Sequence, residues 1–166
     1  MTTQSSRNSP RSLIDCLFVM LLCALLAACG GTGGLPRRIN PPGATIQQWQ
    51  TLADGRWQLT IRVQNYSTVP VRFDRIDAEL SIDGVAAGPL SVALDTEIPG
   101  QYAEIFSATM TPGAVARERL ARIASEGRGF GYRLGGTVST AEPDDRYPLD
   151  YASTLTPVPG VDGQYR

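Results

Sequence analysis

The chain of 166 residues has 15 basic and 16 acidic side chains and a formal net charge of −1, which argues against the strongly basic face of a nucleic-acid binder. It has no histidine, and all its positive side chains are arginine. That excludes Ser-His-Asp and Cys-His machinery, His-ligated zinc and Schiff-base lysines. An enzyme would have to run on carboxylates, tyrosine or arginine alone, and no cofactor or metal site is expected.

Arg7 and Arg11 precede an apolar run over residues 16–28, which ends in Leu26-Ala27-Ala28 before Cys29 and Gly30-Gly31-Thr32-Gly33-Gly34. Charged region, apolar core and small-residue cleavage site are the order of a secretory signal. A single-pass anchor is the rival reading, but a helix over residues 16–28 reaches only about 20 Å, short of a hydrocarbon core of ~30 Å. The Leu-Ala-Ala-Cys order resembles the lipobox of bacterial lipoproteins. That resemblance implies a signal peptide over 1–28, cleavage before Cys29 and a lipid on Cys29, so that the partner is a membrane. Gly30 stands where an aspartate commonly signals inner-membrane retention, which implies the periplasm-facing outer membrane. Cys16 and Cys23 would leave with the signal, so no disulfide framework is expected.

Residues 29–43 read as a linker, flexible where glycine dominates and stiffened by Pro36, Pro41 and Pro42. Arg37 and Arg38 within it are candidates for contact with anionic headgroups, beside the plainer reading of a solvated tether. A single domain is expected over 44–158, followed by a tail over 159–166. Trp57, Leu59, Ile61 and Val63 alternate with polar residues, the period-2 pattern of a strand with one buried face. Val69, Val71 and Phe73 repeat it, as do Ile76, Ala78, Leu80 and Ile82. Asp83-Gly84 is a hairpin signal. Val92 and Leu94 predict a short strand, Pro99-Gly100 a turn, and residues 102–111 another strand.

One helix interrupts the strands. Thr111 is its expected N-cap and Gly127 its stop, with Ala116, Leu120, Ile123 and Ala124 on the inner face and Glu118 paired with Arg122 outside it. Phe130, Tyr132, Leu134, Gly136 and Val138 then alternate, and Tyr147, Leu149 and Tyr151 form the return strand after a turn at Pro143-Asp144-Asp145. Short antiparallel strands with frequent turns predict an all-β sandwich carrying one short helix.

The run from Trp57 to Val71, WQLTIRVQNYSTVPV, resembles the late-embryogenesis-abundant type-2 family, including its water-stress domain. The resemblance continues through Leu80-Ser81-Ile82-Asp83-Gly84 and Ile98-Pro99-Gly100 and spans roughly residues 44–156. Tyr66-Ser67 stands where the family has Pro-Asn, although Asn65 can still close an Asx turn. The family implies an immunoglobulin-like sandwich and suggests protection under water stress; with no histidine or lysine the expected role is non-enzymatic, in stress tolerance or in supporting another envelope component. A module that binds an envelope partner protein by strand addition is the alternative, and a carboxylate-dependent enzyme a further one.

Other features have plainer readings beside functional ones. Asn65-Tyr66-Ser67 matches a glycosylation acceptor but reads better as a turn. Asp77 with Glu79, and Asp144 with Asp145, are acid pairs that read as a solvated face and a turn rather than cation sites. Arg117, Arg119, Arg122 and Arg128 form a basic patch on or beside the helix, diluted by Glu118 and Glu126. It reads as a solubilising face rather than a lipid contact.

Overall fold

The structure, a computed structural model, describes residues 36–166. The signal stretch, Cys29 and the linker up to residue 35 lie outside the described residues. Eight strands and a helix follow in order: β1 (Gly43–Thr51), β2 (Trp57–Gln64), β3 (Val71–Ile82), β4 (Val85–Ile98), β5 (Ala103–Met110), α1 (Ala114–Ser125), β6 (Phe130–Glu142), β7 (Asp144–Leu155) and β8 (Gln164–Tyr165). They form two antiparallel four-stranded sheets, the first ordered β5-β2-β1-β8 and the second β4-β3-β6-β7. The fold is the all-β sandwich with one short helix that the alternation predicts.

The core is what the alternating faces dictate. Trp57, Leu59, Ile61 and Val63 of β2 are fully buried, and so are Leu80 and Ile82 of β3. An aromatic chain ties the sheets together near the helix. Trp49 of β1 lies 4.5 Å from Trp57, Phe130 of β6 meets Trp49 edge-on at 5.1 Å, and Tyr165 meets Phe130 at 4.9 Å. Such tilted and edge-on pairs match ring quadrupoles and add to the burial of their apolar area.

Several elements differ from the reading of the sequence, each for a local reason. β1 carries no clean alternation because its register shifts between Ile46 and Gln48, so the buried residues Ala44, Ile46 and Trp49 are spaced two and then three apart. β3 joins two segments that read as separate strands. Its register shifts between Phe73 and Arg75, a bulge that moves the inward set from odd to even positions. β4 is far longer than Val92 and Leu94 alone predict, because Ala86, Gly88 and Pro89 at its start are weak strand formers.

The helix begins later than Thr111 implies. Gly113 is the N-cap, without a side-chain cap bond, and its N–H donates to Ala87 O at 2.9 Å on β4, which keeps the chain extended to that point. Gly127, at φ +63°, is the expected stop. Ala116, Leu120 and Ile123 are buried, whereas Ala124 is exposed. Among the described residues, Glu118 and Arg122 form no ion pair. Ala141 pairs with Asp144, so the β6–β7 turn is Glu142-Pro143, and Asp144 and Asp145 belong to β7.

Residues 159–166 are more than a tail. Tyr165 is buried and pairs with Trp49, while Arg166 and Thr156 exchange backbone bonds at 2.9 and 2.8 Å. Pro157, Pro159, Gly160 and Gly163 mask this two-residue strand in the sequence.

Register defines two ends of the sandwich. The loops 65–70 and 99–102 gather at one, where the described chain enters β1. The turns 52–56 and 83–84 and the helix gather at the other.

Candidate functional site

The entry end is organised by Asn65, a buried amide that terminates β2. Its Nδ2 donates to Val69 O at 2.9 Å, Ile98 O at 2.9 Å and Pro99 O at 3.2 Å, while its Oδ1 accepts the Ser67 N–H at 2.9 Å. The last of these is the Asx turn expected from the sequence. Asn65 is 1% exposed and its amide is fully engaged, a geometry that withholds it from glycosylation.

Around this knot the incoming chain is fastened. Thr68 N donates to Arg38 O at 2.9 Å, Arg38 N to Thr68 Oγ1 at 2.9 Å, Asn40 N to Ser67 Oγ at 3.0 Å and Asn40 Nδ2 to Tyr66 O at 2.8 Å. The second half of the expected linker is thus part of the domain. Ile39, Tyr66 and Tyr102 stand exposed beside the knot. The Tyr66 ring lies against Gly43, where an added Cβ would come within 3.0 Å of it.

The outer face of the first sheet adjoins this end. Residues opposite the buried positions of β1, β2 and β5 are Thr45, Gln48, Gln50, Gln58, Thr60, Gln64, Ser107 and Thr109, with Arg62 as the charged member and Ile105 as an exposed apolar one. The outer face of the second sheet is built from opposite chemistry. There Arg133 grips Asp150 through two bonds of 2.7 Å, which holds the Asp150 carboxyl below its ordinary range. Ser91 Oγ donates to Asp77 at 2.6 Å. The hydroxyl-and-amide face escapes a reading of the sequence because its members come from three strands, two of them far apart in the chain.

The acid pairs stay where a solvated face and a strand place them. Asp77 and Glu79 share the outer face of β3 with Ser91 close by. Asp144 and Asp145 border a shallow depression with Asp74 and Arg146. Among the described residues no three His, Cys, Asp or Glu side chains converge as metal ligands do. Of the basic patch, Arg128 is paired with Glu126 at 2.5 Å and Asp83 at 3.1 Å. Arg117 reaches over Gly55, at the rim of an apolar cavity of about 230 Å³ lined by Trp57, Leu120 and Tyr165. The cavity is not visible in the sequence, since helix and strand spacing alone do not tell where packing is incomplete. Cys29 lies outside the described residues.

No family model matches this chain, and no curated protein matches it. Among solved structures it is similar to a protein of Archaeoglobus fulgidus known from a crystal structure, with 13% identity and a TM-score of 0.43 over 73% of this chain and 98% of that one. It is also similar to a protein of Arabidopsis thaliana determined in solution, with 10% identity and a TM-score of 0.49 over 81% of this chain and 91% of that one. Both are similarities of β fold.

Proposed function

We propose that this chain is a non-enzymatic, lipid-anchored protein of the cell envelope, held through Cys29 at the periplasm-facing outer membrane and protective under water stress. The observation that carries the reading is the outer face of the first sheet, an array of hydroxyl and amide groups whose charge is confined to Arg62. Such groups exchange hydrogen bonds with water and neutral solutes without the desolvation cost of buried charge. The resemblance to the late-embryogenesis-abundant type-2 family supports it as well. Asn65 and Ile98-Pro99-Gly100, which carry that resemblance from distant parts of the sequence, are bonded to one another.

The test is a deletion strain exposed to drying or osmotic shock and rescued by variants. Wild type should restore survival, and so should Asp77→Asn with Glu79→Gln, which leaves the neutral face intact. Gln58→Glu with Thr60→Glu should fail to rescue at an unchanged envelope level. Loss of rescue by the acid variant, with its fold intact, would point to catalysis or cation binding there. A deletion strain that survives both stresses like wild type removes the water-stress reading.

A second reading has its own observation. β5 is an edge strand, paired on one side with β2, and Ile105 on it is 59% exposed. An edge of this kind fits a partner that adds a strand. Were this the role, a proline introduced within β5 should release that partner.

A further inference from the structure

We propose that the entry end of the sandwich docks on the headgroup layer of a zwitterionic bilayer, with Ile39, Tyr66 and Tyr102 as its interfacial anchors. This rests on the reading of Cys29 as the lipid attachment point and adds a defined orientation to it. Three observations support the docking.

The first is a group of three exposed apolar side chains at this end, against the single valines Val115 and Val161 exposed elsewhere. Ile39, Tyr66 and Tyr102 are 43%, 50% and 66% exposed and surround the Asn65 knot. Tyrosine has an apolar body and a polar tip, which suits the boundary between acyl chains and water. The second is where the chain arrives. Arg38 and Asn40 are bonded to Thr68, Ser67 and Tyr66, so residues 30–36 span the distance from Cys29 to the docked segment. That span is about 30 Å at full extension and roughly half that as a flexible coil. A lipid at Cys29 therefore brings this end to the membrane more readily than the helix end.

The third is charge, which selects the lipid. Arg37, Arg38 and Arg72 lie at this end, but so do Glu97, Glu104 near the start of β5, and Glu142, Asp144 and Asp145 around the β6–β7 turn. The balance is not the polybasic one that anionic leaflets attract. Docking through tyrosine and isoleucine is apolar, so it should persist at high salt.

The test uses the full lipidated chain in phosphatidylcholine vesicles, with brominated acyl chains as the quencher. Trp49 and Trp57 are fully buried and supply an unquenched background. Tyr102→Trp places an indole at the entry end, Tyr66→Trp gives a second, independent position, and Val115→Trp places one on the exposed side of the helix at the far end. The indoles introduced at 66 and 102 should lose most of their emission to the brominated lipid, and the one at 115 none, with little change on adding salt. Vesicle-bound protein with no quenching at 66 and 102, or with equal quenching at all three, overturns the docking while leaving the anchor standing. Quenching that appears only with anionic lipid and vanishes in salt also overturns it. A chain that does not float with vesicles overturns the anchor and the docking together.

Discussion

The hydroxyl of Tyr132 closes a two-bond bridge to the backbone of Ile46: it accepts the Ile46 N–H at 3.0 Å and donates to the Ile46 carbonyl at 3.1 Å. Tyr132 belongs to the second sheet and Ile46 to the first, at the point where the β1 register shifts. A bulge frees backbone groups from the ladder, and this buried phenol satisfies them. One side chain thus joins the two layers and stabilises an irregularity in the strand opposite.

Tyr132→Phe should therefore cost about 2–3 kcal/mol in a denaturant titration, because it leaves a buried N–H and C=O without a partner. Burial pushes the Tyr132 hydroxyl up to about 12. An unfolded tyrosine ionises near 10, so above that pH the unfolded state releases its proton first. The contribution of Tyr132 to stability is complete below about pH 10 and is lost as pH rises towards 12. Tyr147 and Tyr165 are shifted upward too, again by burial. The diagnostic quantity is therefore the difference between wild type and Tyr132→Phe, which should shrink across that window. A constant difference from pH 8 to 12 would contradict the assignment.

Asn65→Asp keeps the size of the side chain but turns an amide donor into an oxygen facing the carbonyls of Val69, Ile98 and Pro99. Removing the donor and burying an unpaired charge should cost about 3 kcal/mol or more. The expected result is a large fall in the melting temperature, with amide exchange accelerating first in the loops 65–70 and 99–102. A variant with near-wild-type stability would show that the knot is not what holds this end.

Two adjacent glycines of β6 make a paired prediction. A Cβ on Gly136 would stand 2.2 Å from the Asp77 carbonyl oxygen, whereas one on Gly135 meets nothing within 4 Å. Gly136→Ala must push β6 away from β3 and should cost about 3 kcal/mol or more. Gly135→Ala should be neutral, or stabilising by some tenths of a kcal/mol through the unfolded chain. Equal melting temperatures for the two variants would refute the close approach.

Cys29→Ala tests the address. Metabolic labelling with a tagged fatty acid should mark the wild type and not the variant, and equal labelling of both would remove the anchor. Recovery of the wild type with the inner membrane would contradict the outer-membrane assignment alone.

The layers of this fold were legible wherever one strand keeps one phase. Trp57 to Val63 alternate over their length, and Phe130, Tyr132, Leu134 and Val138 lie where their pattern predicts, with the exposed Gly136 as the exception. Phase breaks hid the rest. Asp74 interrupts β3 and Gln47 interrupts β1, and a single extra residue reverses which parity faces inward. Tyr165 was illegible for another reason, since a two-residue strand has too few positions to show a period. The Asx turn at Asn65 could be read from its own residues, but its bonds to Ile98 and Pro99 are tertiary. The neutral face is illegible from any one segment, because it exists only once β1, β2 and β5 are laid side by side.

The fastening of Arg38 to Thr68 and of Asn40 to Ser67 also determines how the domain bears tension. A pull on the chain ahead of Arg38 loads those bonds first and reaches β1 at Gly43, opposite Gln64. From there the force runs along the strand, across ladder bonds that lie perpendicular to it. They are strained in shear, side by side, instead of opening one after another as a zipper does. Were the chain tied to a moving membrane, as proposed, that load would be borne first by a few sacrificial contacts at the rim, and the hydrophobic interior would be spared until they part.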